Sequence, residues 1–262
     1  MRIDNAGSEE RQLEDRDFVA SLEKGLAVIE AFDASRPRLT LTDVAKLTGI
    51  TRAAARRYLR TLARLGYAAF DGRYYSLTPR ILRLGYAYLA SAPMPARIQP
   101  FLETISSETG ESSSAAMLDG DEVVYIARSA TRRIMSIGLG VGSRLPAYCT
   151  SLGRALLSCR SDAEIEAYLD RVRLEARTPY TVTERGQLLE LLHETRMCGY
   201  SVINEELELG LRSIAVPVHQ ANGSATIAIN VGTQAARVSP AEMTDRFLPA
   251  LQAASRAIRY TL

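Results

Sequence analysis

The chain has 262 residues, a formal charge of +2 and 47% hydrophobic residues. That suits one large or two modest domains with true cores, and it is too apolar for a disordered chain. No apolar run approaches the roughly 18 residues needed to cross a bilayer, so no membrane partner is expected.

The start, "MRIDNAGSEERQLEDRD", is polar and acidic with no apolar h-region. It reads as a disordered tail over 1–16 rather than a signal peptide. From Asp17 to Ser91 there are twelve basic and six acidic side chains, a surplus of six, while both flanking regions are slightly acidic. A basic module on an acidic remainder suggests a polyanion-binding head joined to something else.

In "SLEKGLAVIEAF", Leu22, Leu26, Ile29 and Phe32 recur at helical spacing and predict a first amphipathic helix. "TLTDVAKLTGI" predicts a short second helix with Leu41, Val44, Ala45 and Leu47 as its buried stripe. Thr40 or Thr42 would cap it, and Gly49 would end it. Thr51 then caps a third helix, "TRAAARRYLRTLARLG", with Ala55, Tyr58, Leu59 and Leu62 inward and Arg52, Arg56, Arg57, Arg60 and Arg64 outward. Two short helices joined by a glycine turn make a helix-turn-helix. Its partner is expected to be a double-stranded DNA operator, because a duplex needs positive charge where the recognition helix meets it. The start of such a helix meets base edges, which singles out Thr51, Arg52, Ala53 and Arg56. Arg57, Arg60 and Arg64 are phosphate contacts or simply solvated. "YAAFDGRYYSLTPR" follows as two short strands around Asp71-Gly72, with Arg73 at the tip, and so a wing.

A linker helix is expected over 79–94, opening at Pro79 and ending at "APMP". Beyond it come a helix to Gly110, a hairpin at Asp119-Gly120, a strand entering the loop "GLGVGS", a short helix in "TSLGRALLSC", and two more helices. Two strands around "ANGS" and one closing helix complete the chain. The fold class is therefore α+β: a winged helix-turn-helix domain (17–78), the linker helix, and an α/β sandwich around one sheet (95–262).

"GSRLPAYCTSLGRALLS", "NEELELGLRSIAVPV" and "IAINVG", together with the winged helix, resemble the IclR family of bacterial transcription regulators over about residues 17 to 260. The likeness is greatest to the β-ketoadipate-pathway branch, the Pca and Pob type. The resemblance implies a GAF-like effector-binding domain, homodimers or homotetramers, and small organic acids, aromatic ones among them, as effectors. It also implies effector contacts at Leu145, Ser151, Leu152, Ile203, Leu211 and Ser213. Where the family often has an acidic residue before "EE", this chain has Ile203-Asn204, so a less acidic pocket is expected, with Asn204 at its edge. The residues add Arg144 as a carboxylate partner, Tyr148 as an aromatic wall and Asn230 as a hydrogen-bonding group, each with solvent exposure as the alternative. Free N–H groups of Ser151, Leu152 and Gly153 at a helix start can also hold a carboxylate.

Glu205, Glu206 and Glu208 read as surface charges, and His193 as a helix-surface residue. Cys149, Cys159 and Cys198 are an odd number without CxxC spacing, so neither a disulfide framework nor a metal site is expected, and a cytoplasmic location fits. Cys149 is either a redox-sensitive thiol or, more simply, buried and inert. No cofactor is called for. "GLGVGS" lacks the GK[ST] ending of a phosphate loop, and no GxSxG or HExxH is present, which argues against an enzyme. The rival readings are an enzyme carrying a DNA-binding graft, an architectural DNA-binding protein without effector, and a regulator of an unrelated small-acid pathway.

Overall fold

A computed structural model of the chain describes residues 18–33, 35–91, 94–131, 139–219, 223 and 225–261. The N-terminal tail, the strand expected to lead into the glycine-rich loop and most of the "ANGS" turn fall outside the described residues. The chain divides into two compact units, with the break after Tyr88.

In the first unit, α1 (Ala20–Glu30), α2 (Leu41–Thr48) and α3 (Arg52–Arg64) precede the strands β1 (Ala68–Phe70) and β2 (Tyr75–Leu77). Their core is Val28, Leu39, Val44, Ala45, Ala55, Leu59 and Tyr75. Thr40 caps α2 in a reciprocal box with Asp43, and Gly49 takes the left-handed conformation (φ 69°) that lets the chain turn straight into α3. Thr51 caps α3 by accepting from the Ala54 N–H. Leu39 pairs with Tyr75, which ties the segment before α2 to the hairpin. Two expected core stripes differ. Leu22 and Leu26 are exposed on α1 and Val28 carries the burial, and Leu47 is exposed on α2. Periodicity finds the apolar stripe of a helix but does not say which part of a wide stripe meets the core.

A single 3-10 turn (Pro79–Ile81) leads into α4 (Leu82–Ser91). The second unit is built on one antiparallel sheet of β3 (Ser112–Asp119), β4 (Glu122–Ser129), β5 (Arg144–Pro146), β6 (Ser201–Asn204), β7 (Leu211–His219) and β8 (Ala225–Gln234), in the order β5-β4-β3-β8-β7-β6. On its outer face, α5 (Met94–Thr109), α9 (Pro240–Arg246) and α10 (Leu248–Arg259) pack on Ala115, Ile214, Val216, Ile227, Ile229 and Val231. On its inner face, α6 (Ser151–Leu157), α7 (Asp162–Arg171) and α8 (Arg185–Cys198) pack on Ala116, Val123, Tyr125, Ala215 and Ala228. The closing helix expected from the sequence is two helices. Pro249 has no N–H to continue the helical ladder and is tolerated in a helix's first turn, so α9 stops at Arg246 and a second helix starts at Leu248.

β4 departs from strict alternation. Ala115 pairs with Ala127 and Ala116 with Tyr125, which leaves Ile126 as an extra residue without a partner on β3. Such a bulge shifts the face of every residue beyond it.

Candidate functional site

The first candidate surface is α3. It is an arginine-rich cylinder whose inner side is fixed by two fully buried residues, Ala55 and Leu59. Arg52, Arg56, Arg57, Arg60 and Arg64 are all exposed on it, as are Thr51 and Ala53 near its start. No acidic residue lies within the helix, so the field over this face is positive. Thr51 already uses its side-chain oxygen as a cap, which leaves its hydroxyl proton and methyl for a partner. The wing adds Arg73, exposed and lying over the Tyr74 ring at 5.1 Å. Asp71 holds the tip by accepting from the Arg73 and Tyr74 N–H groups at 3.0 and 2.8 Å. Its remaining oxygen pairs with Arg38. The hairpin loop is thus four residues long rather than a two-residue turn, with Phe70 and Tyr75 stacked across its base at 4.5 Å.

The second candidate surface is the inner face of the sheet where α6 starts. Every residue of α6 is buried. Gly153 makes this possible, because a Cβ there would overlap the Ala147 carbonyl oxygen. The start of the helix is less open than expected, since the Gly153 N–H donates to Thr150 Oγ1 at 3.2 Å. The Ser151 hydroxyl is buried and has no hydrogen-bond partner among the described residues. A buried hydroxyl left that way costs about 1–3 kcal/mol, unless something polar arrives.

The register sorts the remaining expected effector residues. Ile203 pairs with Ser213, and Ala215 pairs with Asn230, all four on the inner face with Leu211. Leu145 is half-buried and pairs with inward Val123. Leu152 is fully buried. Tyr148 is buried too, but its hydroxyl donates to the Glu175 carbonyl at 2.8 Å, so it closes the wall as a fixed element. Two residues are corrected. Arg144 pairs with Val124 and therefore points outward, where Glu122 and Asp119 hold its guanidinium at 2.7 and 2.6 Å. Asn204 alternates with inward Ile203, lies exposed, and accepts from Arg212.

A third correction concerns Glu206, which is 7% exposed rather than a surface charge. It forms a two-pronged pair with Arg154 of α6 at 2.8 and 2.5 Å, and Arg154 also donates to the Tyr148 carbonyl at 2.8 Å. The sequence carries a signal for this. An arginine amid "SLGRALLS" sits on a helix apolar on every side, so it needs a buried acid. Neighbouring Glu205 adopts φ 59°, a left-handed conformation that is uncommon outside glycine, and its carboxylate accepts from the Gly210 N–H at 2.9 Å. His193 is on the surface of α8, 3.7 Å from Asp162. Burial pushes the Cys149 thiol up to about 11, which makes it inert. Among the described residues no group of three or more potential metal ligands gathers, and no helix is long and apolar enough to cross a membrane.

Sequence reasoning misses Arg128. It is half-buried on β4, pairs with Ser114 in the register, and donates to the Ser114 hydroxyl at 3.0 Å. Strict alternation would set it on the outer face with Ile126. The bulge at Ile126 turns it inward.

Comparison with known proteins follows the same division. The model of the IclR helix-turn-helix domain matches residues 21–72, and that of the C-terminal domain of bacterial IclR transcriptional regulators matches 86–260. The chain is 48% identical to the Pca regulon regulatory protein of Pseudomonas putida, over 95% of this chain and 86% of that one. It is 43% identical to the p-hydroxybenzoate hydroxylase transcriptional activator of Acinetobacter baylyi, over 95% and 93%. The second unit resembles the inducer-binding domain of an Acinetobacter PobR double mutant, solved in complex with 3-hydroxybenzoic acid. There the identity is 35% and the TM-score 0.62, covering 65% of this chain and all of that one.

Proposed function

The chain belongs to the IclR family of bacterial transcriptional regulators, close to the Pca and Pob regulators of aromatic-acid catabolism, and from that premise we propose that it is an operator-binding protein switched by a small aromatic acid. The observation that carries this reading is α3, which buries Ala55 and Leu59 and leaves five arginines and its N-terminal turn free for a groove. In this reading Thr51, Arg52, Ala53 and Arg56 meet base edges, while Arg57, Arg60 and Arg73 meet phosphates. The effector lies on the inner sheet face, among Leu145, Ser151, Leu152, Ile203, Leu211, Ser213 and Asn230, with Tyr148 behind it. A hydroxybenzoate fits the mixture found there: apolar side chains for the ring and a few hydroxyl and amide groups for its polar ends. The protein works as a homo-oligomer in the cytoplasm, since two recognition helices on a two-fold operator need two chains. The acid acts by binding two arrangements of the chains with different affinity, and through that difference shifts operator occupancy. The role is regulation rather than catalysis.

The test is to titrate the purified protein with protocatechuate, 4-hydroxybenzoate, 3-hydroxybenzoate and β-ketoadipate, reading melting temperature and operator binding together. One of these acids should raise the melting temperature and change the occupancy. Ser151→Phe and Ser213→Phe should lose that response and keep DNA binding. Retention of the response in both variants would sink the assignment of the pocket.

A further inference from the structure

The inner sheet face carries one cation whose charge is unanswered. Arg128 is half-buried, and among the described residues no carboxylate lies within ion-pair distance of it; its one side-chain partner is the neutral Ser114 hydroxyl. Burial pulls its guanidinium pKa down, and the neighbouring Tyr125 phenol opposes the shift only in part. A desolvated positive charge without a counter-ion is a cost that proteins ordinarily avoid.

Its surroundings are arranged for an anion. Ser114 pairs on one side with Arg128 and on the other with Asn230, so the three form a row across β4, β3 and β8. Asn230 is 7% exposed, and its side chain makes no hydrogen bond to the described residues. In the neighbouring row, Ser112 and Ser213 flank Gly232, which has no side chain and leaves the floor as bare backbone. Ser151 adds the unpartnered hydroxyl. β4 and β7 are three strand spacings apart, about 14 Å. An arginine reaching in from β4 leaves room for one ring before Ser213.

We propose that Arg128, flanked by Ser114 and Asn230, is the carboxylate-binding group for the effector, and so selects acids over neutral analogues of the same shape. The assignment deepens the ligand reading given above and depends on it. It replaces Arg144, whose guanidinium is already held by Glu122 and Asp119 on the outside. Arginine suits the task because its planar fork matches a carboxylate with two parallel bonds. The ring would then lie over Gly232, with its far hydroxyl toward Ser213.

The experiment compares 4-hydroxybenzoate with its neutral amide, 4-hydroxybenzamide, by calorimetric titration of the full-length protein. The unaltered protein should prefer the acid by about 10- to 100-fold, the worth of one charge-assisted contact. Arg128→Gln should lose most of that factor and leave the amide within about twofold. Arg128→Lys should keep a partial preference. Asn230→Asp, nearly isosteric and so the safer variant for folding, places a carboxylate in the row. It should raise the melting temperature without ligand and weaken the acid by about tenfold or more. If Asn230→Asp and Arg128→Gln bind the acid as tightly as the unaltered protein, the role of Arg128 is overturned; the pocket still stands if Ser151→Phe and Ser213→Phe abolish binding. If the unaltered protein binds neither compound, the role of Arg128 in a hydroxybenzoate site falls together with the pocket.

Discussion

Arg154 and Glu206 meet beneath the inner face of the sheet with both side chains almost wholly buried. Removing one partner of such a pair leaves a lone buried charge, at a cost of about 3–5 kcal/mol. Glu206→Leu should therefore lower stability to urea by that amount, and the double change Arg154→Met with Glu206→Leu should recover most of it. Gly153→Ala should be severely destabilising for a steric reason, since a methyl group cannot share space with the Ala147 carbonyl. The cysteines offer a simple check. A thiol reagent near neutral pH should modify exposed Cys198 in the folded protein, and Cys149 only after unfolding. At this scale little is legible in the chain. Ser213 and Ile203 are reached only through resemblance, Ser151 also through its place at a helix start, and the register then sets Ile203 beside Ser213. The partners of Arg154, Glu206 and Arg128 stay hidden because each depends on contacts between segments that are distant in sequence.

The elements are more legible than the residues, because caps and breakers act locally. Thr40, Thr51, Gly49 and Gly199 behave as their residue types predict. Differences arise where tertiary packing decides, as with Leu22, Leu26 and Leu47, or where a proline divides one apolar pattern, as at Pro249. Among the described residues three helices carry a full capping box, with Asp43, Glu164 and Glu242 as the acidic members. Hydrogen bonds from Thr40, Ser161 and Ser239 hold each carboxyl below its ordinary pKa. A carboxyl with a depressed pKa in the folded state stabilises above its unfolded value, about 4, and that contribution is lost as pH falls through the folded value. Urea midpoints should therefore hold between pH 7 and 5 and fall below about pH 4. Replacing all three acids by their amides should flatten that part of the profile. Thr40→Ala alone should cost about 1 kcal/mol, because the cap is lost at every pH.

At the scale of the whole chain, the uneven charge is the most informative property, since it locates the DNA-binding unit before any fold is considered. It also makes a quantitative demand. Operator affinity should fall steeply as salt rises, with a slope that becomes shallower by about one for each phosphate contact removed. Arg60→Ala should weaken operator and random duplex alike. Arg52→Ala should weaken the operator more than random sequence, and an equal loss on both would reassign it to the backbone.

The unpaired Ile126 has a practical consequence for anyone who wishes to redesign the inner face of the sheet. A mutagenesis library laid out by counting every second residue from Val123 would sample 127 and 129, which look toward α5, and would skip 128. Deleting Ile126 would restore that count and keep the guanidinium inward, because outward Ala127 would then follow inward Tyr125 directly. The shortened strand would present Val123, Tyr125 and Arg128 on one face by simple alternation.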